Sequence, residues 1–231
     1  MSVADAPQRH NGTVSDETRR PLTGGIRIDT ARAEDLAAME RICIDTAGEG
    51  HDPRPHLVHP ELVTAIWLTP YMEPGADTVC LVARTSTSHE GGRVIGYCIA
   101  ARDARSFARG VAERWFPQVR ARLEDRLDEF TPADAALWNV VCHPVVPDDP
   151  WLGEHPAEVH IDILPDGQGR GLGRKLLEAM STELGREGVR GFFLGVDPAN
   201  TSAQGFYEHL GLALLRPREA GGPVYGRRLT R

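Results

Sequence analysis

One stretch, residues 157–186, constrains the fold more than any other: AEVHIDILPDGQGRGLGRKLLEAMSTELGR. A short run, VHIDIL, leads into four glycines at 167, 169, 171 and 173. Leu172, Leu176, Leu177, Met180 and Leu184 then recur at helical spacing. Strand, glycine-rich turn and helix make a local arrangement suited to an anion. Without Cβ atoms at 169, 171 and 173, an anion can approach the backbone. The N–H groups of 169–174 can point into one concavity, and the helix start adds unpaired donors. Arg170 and Arg174 add charge. Alternate glycines cost chain entropy if nothing approaches them.

Register excludes the common nucleotide patterns. A Walker A loop needs a Gly-Lys pair followed by Ser or Thr, and the stretch has none. A dinucleotide fingerprint places a third glycine five positions after the first. From Gly167, Gly169 and Gly171 that place holds Leu172, Arg174 and Leu176.

The remaining chain alternates strands with helices. GIRIDT at 25–30 alternates as a half-buried strand. Leu36, Met39, Ile42 and Cys43 give a helix one apolar face. AGEGHDPRPH at 47–56 reads as a loop, and residues 59–74 as a second short helix with Leu62, Ile66 and Trp67 to pack. DTVCLVAR and RVIGYCIAAR pair through a hairpin turn at STSHEGG. Residues 103–129 are helical in composition, and Pro117 predicts a break into two pieces. The proline-rich stretch 131–156 predicts a structured excursion, because Leu137, Trp138, Val140 and Val141 need burial. GFFLGVD, a helix with Ala203, Phe206, Tyr207 and Leu210 on one face, LALLRP and PVYGRRL complete the sheet. Gly211 suits the C-terminal cap of that helix. Hairpin-linked strands mixed with crossovers imply an α/β fold with a mixed sheet, mostly antiparallel, and helices on both faces.

Composition narrows the function classes. The 231 residues carry a net charge of −7 with 41% hydrophobic content, and no long basic run marks a nucleic-acid binder. No stretch is long and apolar enough to span a membrane, and residues 1–24 lack a secretory h-region and read as a flexible tail. Cys43, Cys80, Cys98 and Cys142 show no metal or disulfide spacing, so a reduced, cytoplasmic setting is expected. His51, His56 and His59 lie near Glu49, Asp52 and Glu61 without a ligand motif, and no metal is expected.

Gln168-Gly169-Arg170-Gly171-Leu172-Gly173 resembles the Q/R-x-x-G-x-G/A signature of the GCN5-related N-acetyltransferases (GNAT). VDPANTSAQGFYEHLGL is similar to that family's second segment. A narrower resemblance spans roughly residues 25–230. HPELVTAIWLTPYMEPG, GYCIAARDARSF, the RWFPQVR region and VHIDIL look like the acetyltransferase-like domain attached to O-GlcNAcase and its free-standing bacterial relatives. The glycine segment is degenerate in the animal domain and intact here. The resemblance implies one GNAT domain at 25–231, with an excursion at 103–156, that binds acetyl-CoA. It implies that Gln168 through Arg174 grip the pyrophosphate. The backbone of Ile163 or Leu164 would meet the thioester carbonyl, and Asn200 the pantetheine arm or the approach of the next helix. Tyr207 would sit beside the sulfur as general acid, a place where an aromatic also packs.

Acetyl transfer to an amine needs a base, an oxyanion donor and an acid for the thiolate. On a regular strand, Glu158, His160 and Asp162 share one face, and Val159, Ile161 and Ile163 the other. Asp162 is the expected base, directly or through water, with His160 and Glu158 behind it. A His–Asp structural pair is the alternative. The expected acceptor is an amine on a small molecule or peptide, and the protein a monomer or homodimer. A non-catalytic acyl-CoA sensor would use the same glycine segment.

Overall fold

A computed structural model describes residues 25–47, 56–85, 92–217, 219 and 222–230. Its centre is a seven-stranded sheet in the order β1-β2-β3-β4-β5-β7-β6. The strands are β1 (Ile26–Thr30), β2 (Thr78–Thr85), β3 (Val94–Ala101), β4 (Ala157–Ile163), β5 (Gly191–Gly195), β6 (Ala213–Arg216) and β7 (Val224–Arg228). Every neighbouring pair is antiparallel except β4 and β5. The mixed, mostly antiparallel sheet read from the sequence is therefore the observed one. The STSHEGG turn and residues 48–55 lie outside the described residues, apart from Gly92.

Each sheet face has its own cover. Helix α7 (Leu172–Arg186) buries Leu172, Leu176, Leu177, Met180 and Leu184, the apolar stripe expected for it. They meet Leu81, Ala83, Ile95, Val159, Phe192 and Leu194 on one face of the sheet. Helix α8 (Thr201–His209) joins that core through Tyr207, with Ala203 and Phe206 partly buried beside it. Gly211 follows α8 at φ +74°, as a left-handed cap requires. On the opposite face lie α1 (Leu36–Thr46), α2 (Glu61–Trp67) and α3 (Thr69–Met72). Met39, Ile42 and Cys43 of α1 pack there against Val82, Tyr97 and Ile99.

The excursion carries a satellite core. It comprises α4 (Ala104–Gly110), a π-helical segment Val111–Trp115, α5 (Phe116–Leu123), a 3-10 segment Glu124–Glu129 and α6 (Pro132–Cys142). The chain stays helical past Pro117, contrary to the expected break. Pro117 falls in the first turn of α5, where a missing N–H costs little, and the π turn before it absorbs the misfit. Trp115, Phe116, Val119, Leu123 and Val141 close on Leu62 and Ala65 of α2. The Trp115 indole donates to the Ala65 carbonyl at 2.8 Å. Val140 is exposed, so the need for burial assigned to it was wrong. Asp134 ties α6 to the entry of α2, accepting from the N–H groups of Val58, His59 and Thr131.

Candidate active site

The parallel pairing of β4 with β5 covers only Ala157 with Phe192 and Glu158 with Phe193. Beyond that point the strands part. A cleft of about 250 Å³ occupies the gap, walled by Val159–Asp162 on one side and Leu194–Asp197 on the other. Asn200, Ala203 and Tyr207 of α8 complete one wall, and Cys43, Thr46, Ala47 and Trp67 the other end. Trp67 was read as a packing residue, but it is 36% exposed and lines the cleft.

The parity of β4 is regular, because its register with β3 runs unbroken from Glu158 to Ile163. Val159, Ile161 and Ile163 pack toward α7. His160 packs against Tyr71 in a T-shaped arrangement, with ring centroids 5.4 Å apart. Its Nε2 lies 3.9 Å from Glu158. No His160–Asp162 hydrogen bond occurs among the described residues. Asp162 instead accepts from the Tyr97 hydroxyl at Oδ2, at 2.5 Å, and meets Thr46 Oγ1 at Oδ1, at 3.1 Å. Burial pushes the Asp162 carboxyl up, against the pull of the Tyr97 and Thr46 hydrogen bonds and of His160. A carboxylate so placed is a stronger base than one in water.

Strand geometry also selects the backbone donors. The Leu164 N–H donates to the Ile95 carbonyl at 3.0 Å, so it is committed to the β3 ladder and cannot meet a thioester. Antiparallel alternation points the N–H groups of Ile161 and Ile163 away from β3, toward the side where β5 departs. Ile163 and Ile161 thus both turn their N–H groups to the side where the cleft opens.

The glycine turn continues from this strand. Gln168 Nε2 donates to the Ile163 carbonyl at 2.9 Å, folding the loop back on the strand. Gly169 and Gly171 have φ of +70° and +73°, with open space where a Cβ would stand. Among the described residues, no N–H from Gly169 to Arg174 donates to a protein acceptor. Arg170, Arg174 and Lys175 are exposed and have no ion-pair partner among the described residues. Leu172 is buried and offers only its backbone. Gly173 differs from the expected open glycine, because a Cβ there would stand 2.7 Å from Phe206 Cζ. Its missing side chain lets α7 approach α8.

On the opposite wall, Asn200 caps α8, its side chain accepting from the Ala203 N–H at 3.0 Å. It lines the cleft as well. Tyr207 packs its ring between Phe206 and Tyr225. Its hydroxyl has no hydrogen-bond partner among the described residues. Burial, then the charge of Asp162 and then Cys98, push its ionisation up, which keeps it a neutral donor.

Residues 61–212 match the model of the acetyltransferase (GNAT) family. The chain belongs to this family. The crystal structure of SsHAT is similar over 89% of this chain and 99% of that one, at 30% identity and a TM-score of 0.75. A GCN5-related N-acetyltransferase from Kribbella flavida shares the fold over 88% and 98% of the two chains, at 19% identity and a TM-score of 0.52. A mycothiol acetyltransferase from Kocuria rhizophila is 42% identical over 74 residues. That stretch is 32% of this chain and spans only 23% of the relative's length. This GNAT protein is an acetyl-CoA-dependent acetyltransferase. Among its described residues, no helix is long and apolar enough to cross a membrane.

The sequence reading missed Tyr97, Thr46, Cys43 and Trp67 as cleft or network residues. Two signals were present. Tyr97 is the one hydroxyl in the otherwise apolar strand VIGYCIAA. Thr46 lies four positions after Ile42, on the buried stripe of α1.

Proposed function

We propose that the cleft moves the acetyl group of acetyl-CoA directly to an amine, with Asp162 as base and Tyr207 as acid. The carrying observation is the parting of β4 and β5, which leaves these two side chains lining one cleft. Backbone donors of Gly169–Arg174 would take the pyrophosphate, with Arg170 and Arg174 adding charge and Gln168 bracing the loop. The Ile163 and Ile161 N–H groups would face the pantetheine arm and the thioester oxygen. Asn200 and Leu172 shape the path through a helix cap and a buried anchor. The amine nitrogen attacks the carbonyl carbon as its proton passes to Asp162, directly or through water. The C–S bond breaks, the Tyr207 hydroxyl protonates the leaving thiolate, and the phenolate takes a proton back from solvent as the product leaves. His160, beside Glu158, would return the proton to solvent.

Asp162, His160 and Asp197 line the cleft with Trp67, a combination that favours a cationic acceptor, small molecule or peptide. Within the family, HPELVTAIWLTPYMEPG and GYCIAARDARSF support kinship with the acetyltransferase-like domain attached to O-GlcNAcase and its free-standing bacterial relatives. Four free thiols, at Cys43, Cys80, Cys98 and Cys142, support a cytoplasmic setting. We take the domain as residues 25–231, acting as a monomer or homodimer without nucleic acid.

The test is release of free CoA with a panel of small amines, aminoglycosides and lysine peptides. Asp162→Asn and Tyr207→Phe should each lower turnover by roughly 10²-fold or more while acetyl-CoA affinity, read by calorimetry, stays near wild type. Unchanged turnover in both variants would refute the assignment.

A further inference from the structure

We infer that Thr46 and Tyr97 are positioning residues that set the protonation of Asp162, and that the Thr46 hydroxyl switches acceptor with the charge of that carboxyl. The inference rests on the reading of Asp162 as the base. Its starting point is a count of protons. Thr46 Oγ1 lies 2.8 Å from the Ile42 carbonyl oxygen and 3.1 Å from Asp162 Oδ1. A hydroxyl has one proton to give and two lone pairs to offer. It cannot serve both acceptors fully at once.

Two arrangements satisfy the site, one for each charge state. With Asp162 ionised, the Thr46 hydroxyl donates to Oδ1 and the Tyr97 hydroxyl to Oδ2. The Ile42 carbonyl is not orphaned, because it still accepts the helical N–H four residues on, that of Thr46 itself. With a proton on Oδ1, Asp162 becomes the donor to Thr46 Oγ1, and the Thr46 proton turns to Ile42. Each carboxyl oxygen then has a partner before and after the amine gives up its proton. The cleft needs no water to accommodate the change.

Tyr97 supplies the fixed half of the arrangement. It is fully buried, and burial followed by the charges of Asp162 and Cys43 pushes its ionisation well up. Burial, then the charge of Asp162, push the Cys43 thiol up to about 12. The Tyr97 hydroxyl spends its one proton on Asp162 Oδ2. Asp162 faces Tyr97 and Cys98 from β3, Cys43 and Thr46 from α1, with Glu40 behind Cys43, Tyr207 from α8 and His160 on its own strand. The two thiols and two phenols remain neutral near pH 7 because burial raises all four. His160 is the neighbour on the same strand whose charge acts on Asp162.

The experiment is a ¹³C NMR titration of the Asp162 carboxyl in the full chain, assigned by its loss in Asp162→Asn. It is run in the wild-type and His160→Gln backgrounds, and it needs no acceptor. Tyr97→Phe removes a donor to the carboxylate and should raise the midpoint by about one to two pH units. Thr46→Val should raise it by less, because that donor is shared, and Thr46→Ser should return it to the wild-type value. A packing role alone would leave the midpoint in place in all three variants. An unmoved midpoint in Thr46→Val, or in Tyr97→Phe should the Thr46 variant not fold, overturns the inference. Turnover that survives Asp162→Asn overturns the choice of base instead, and leaves the titration result standing.

Discussion

Gly173→Ala separates the two reasons a glycine can stand in the phosphate turn. A methyl at 173 would lie 2.7 Å from Phe206 Cζ and 3.4 Å from each Cε. The ring tip would have to retreat by roughly 0.8 Å to reach ordinary carbon contact. Overpacking of this kind costs about 1–3 kcal/mol. Alanine at the second helical position regains roughly 0.5–1 kcal/mol over glycine. The net loss should be about 1 kcal/mol, a fall in Tm of roughly 2–4 °C for a chain of this size. Phe206 and Tyr207 have ring centroids 5.2 Å apart, so the push should also lower kcat. The assay is thermal unfolding with and without acetyl-CoA, on Gly173→Ala, Phe206→Leu and the double variant. Removing the ring tip should relieve the clash, so the double variant should be more stable than the summed effects imply, by at least about 0.5 kcal/mol. A wild-type Tm in Gly173→Ala, or strict additivity, would refute helix approach as the reason for this glycine.

Gly171→Ala tests the other reason, because its site is open but its φ is +73°. It should cost about 1–2 kcal/mol through backbone strain, read as a lower urea midpoint that Phe206→Leu does not rescue. For Asp162, the folded pKa lies above the unfolded one, so its favourable contribution is complete at low pH and is lost as pH rises through the folded value. Asp162→Asn should therefore be at least as stable as wild type at pH 7 in urea unfolding, while turnover collapses. Asp134 shows the opposite sign. Burial pushes it up, but hydrogen bonds from the Thr131 hydroxyl and the N–H groups of His59, Thr131 and Val58 outweigh that and hold it at about 2. It should contribute roughly 2 kcal/mol above pH 4, lost as pH falls from its unfolded value toward 2. Asp134→Asn should flatten the acid limb of stability against pH.

What the sequence shows best is periodicity. The five buried residues of α7 and the two faces of β4 were legible because helix and strand each repeat on a fixed period. The glycine segment was legible as a turn with open backbone because its geometry is local: Gly169 and Gly171 take positive φ with open space at Cβ. Contacts between distant segments were not legible. Nothing near Leu164 says that Ile95 takes its N–H, and nothing near Thr46 says that it meets a residue 116 positions away. Gly173 looked like its neighbours in sequence, yet its reason lies on α8. Pro117 misled because its cost depends on position within a helix. A proline in the first turn forfeits little, and a π turn ahead of it can absorb the rest.

The parting of β4 and β5 connects stability with function. A central strand normally spends every N–H on a neighbour. After Glu158, β4 loses its β5 partner while Val159, Ile161 and Ile163 still anchor it to α7. The packed face holds the strand in place, so the unpaired N–H groups cannot relax toward another acceptor. Each buried donor left without a partner costs about 1–3 kcal/mol, offset only in part by water reaching the cleft. A pantetheine arm offers carbonyls at the spacing of an extended chain and can serve as the missing strand edge. The same gap brings Asp162 from one wall and Tyr207 from the other to a common space. A β5 paired along its full length with β4 would give a tighter sheet, and would remove both the unpaired N–H groups and the space that Asp162 and Tyr207 share.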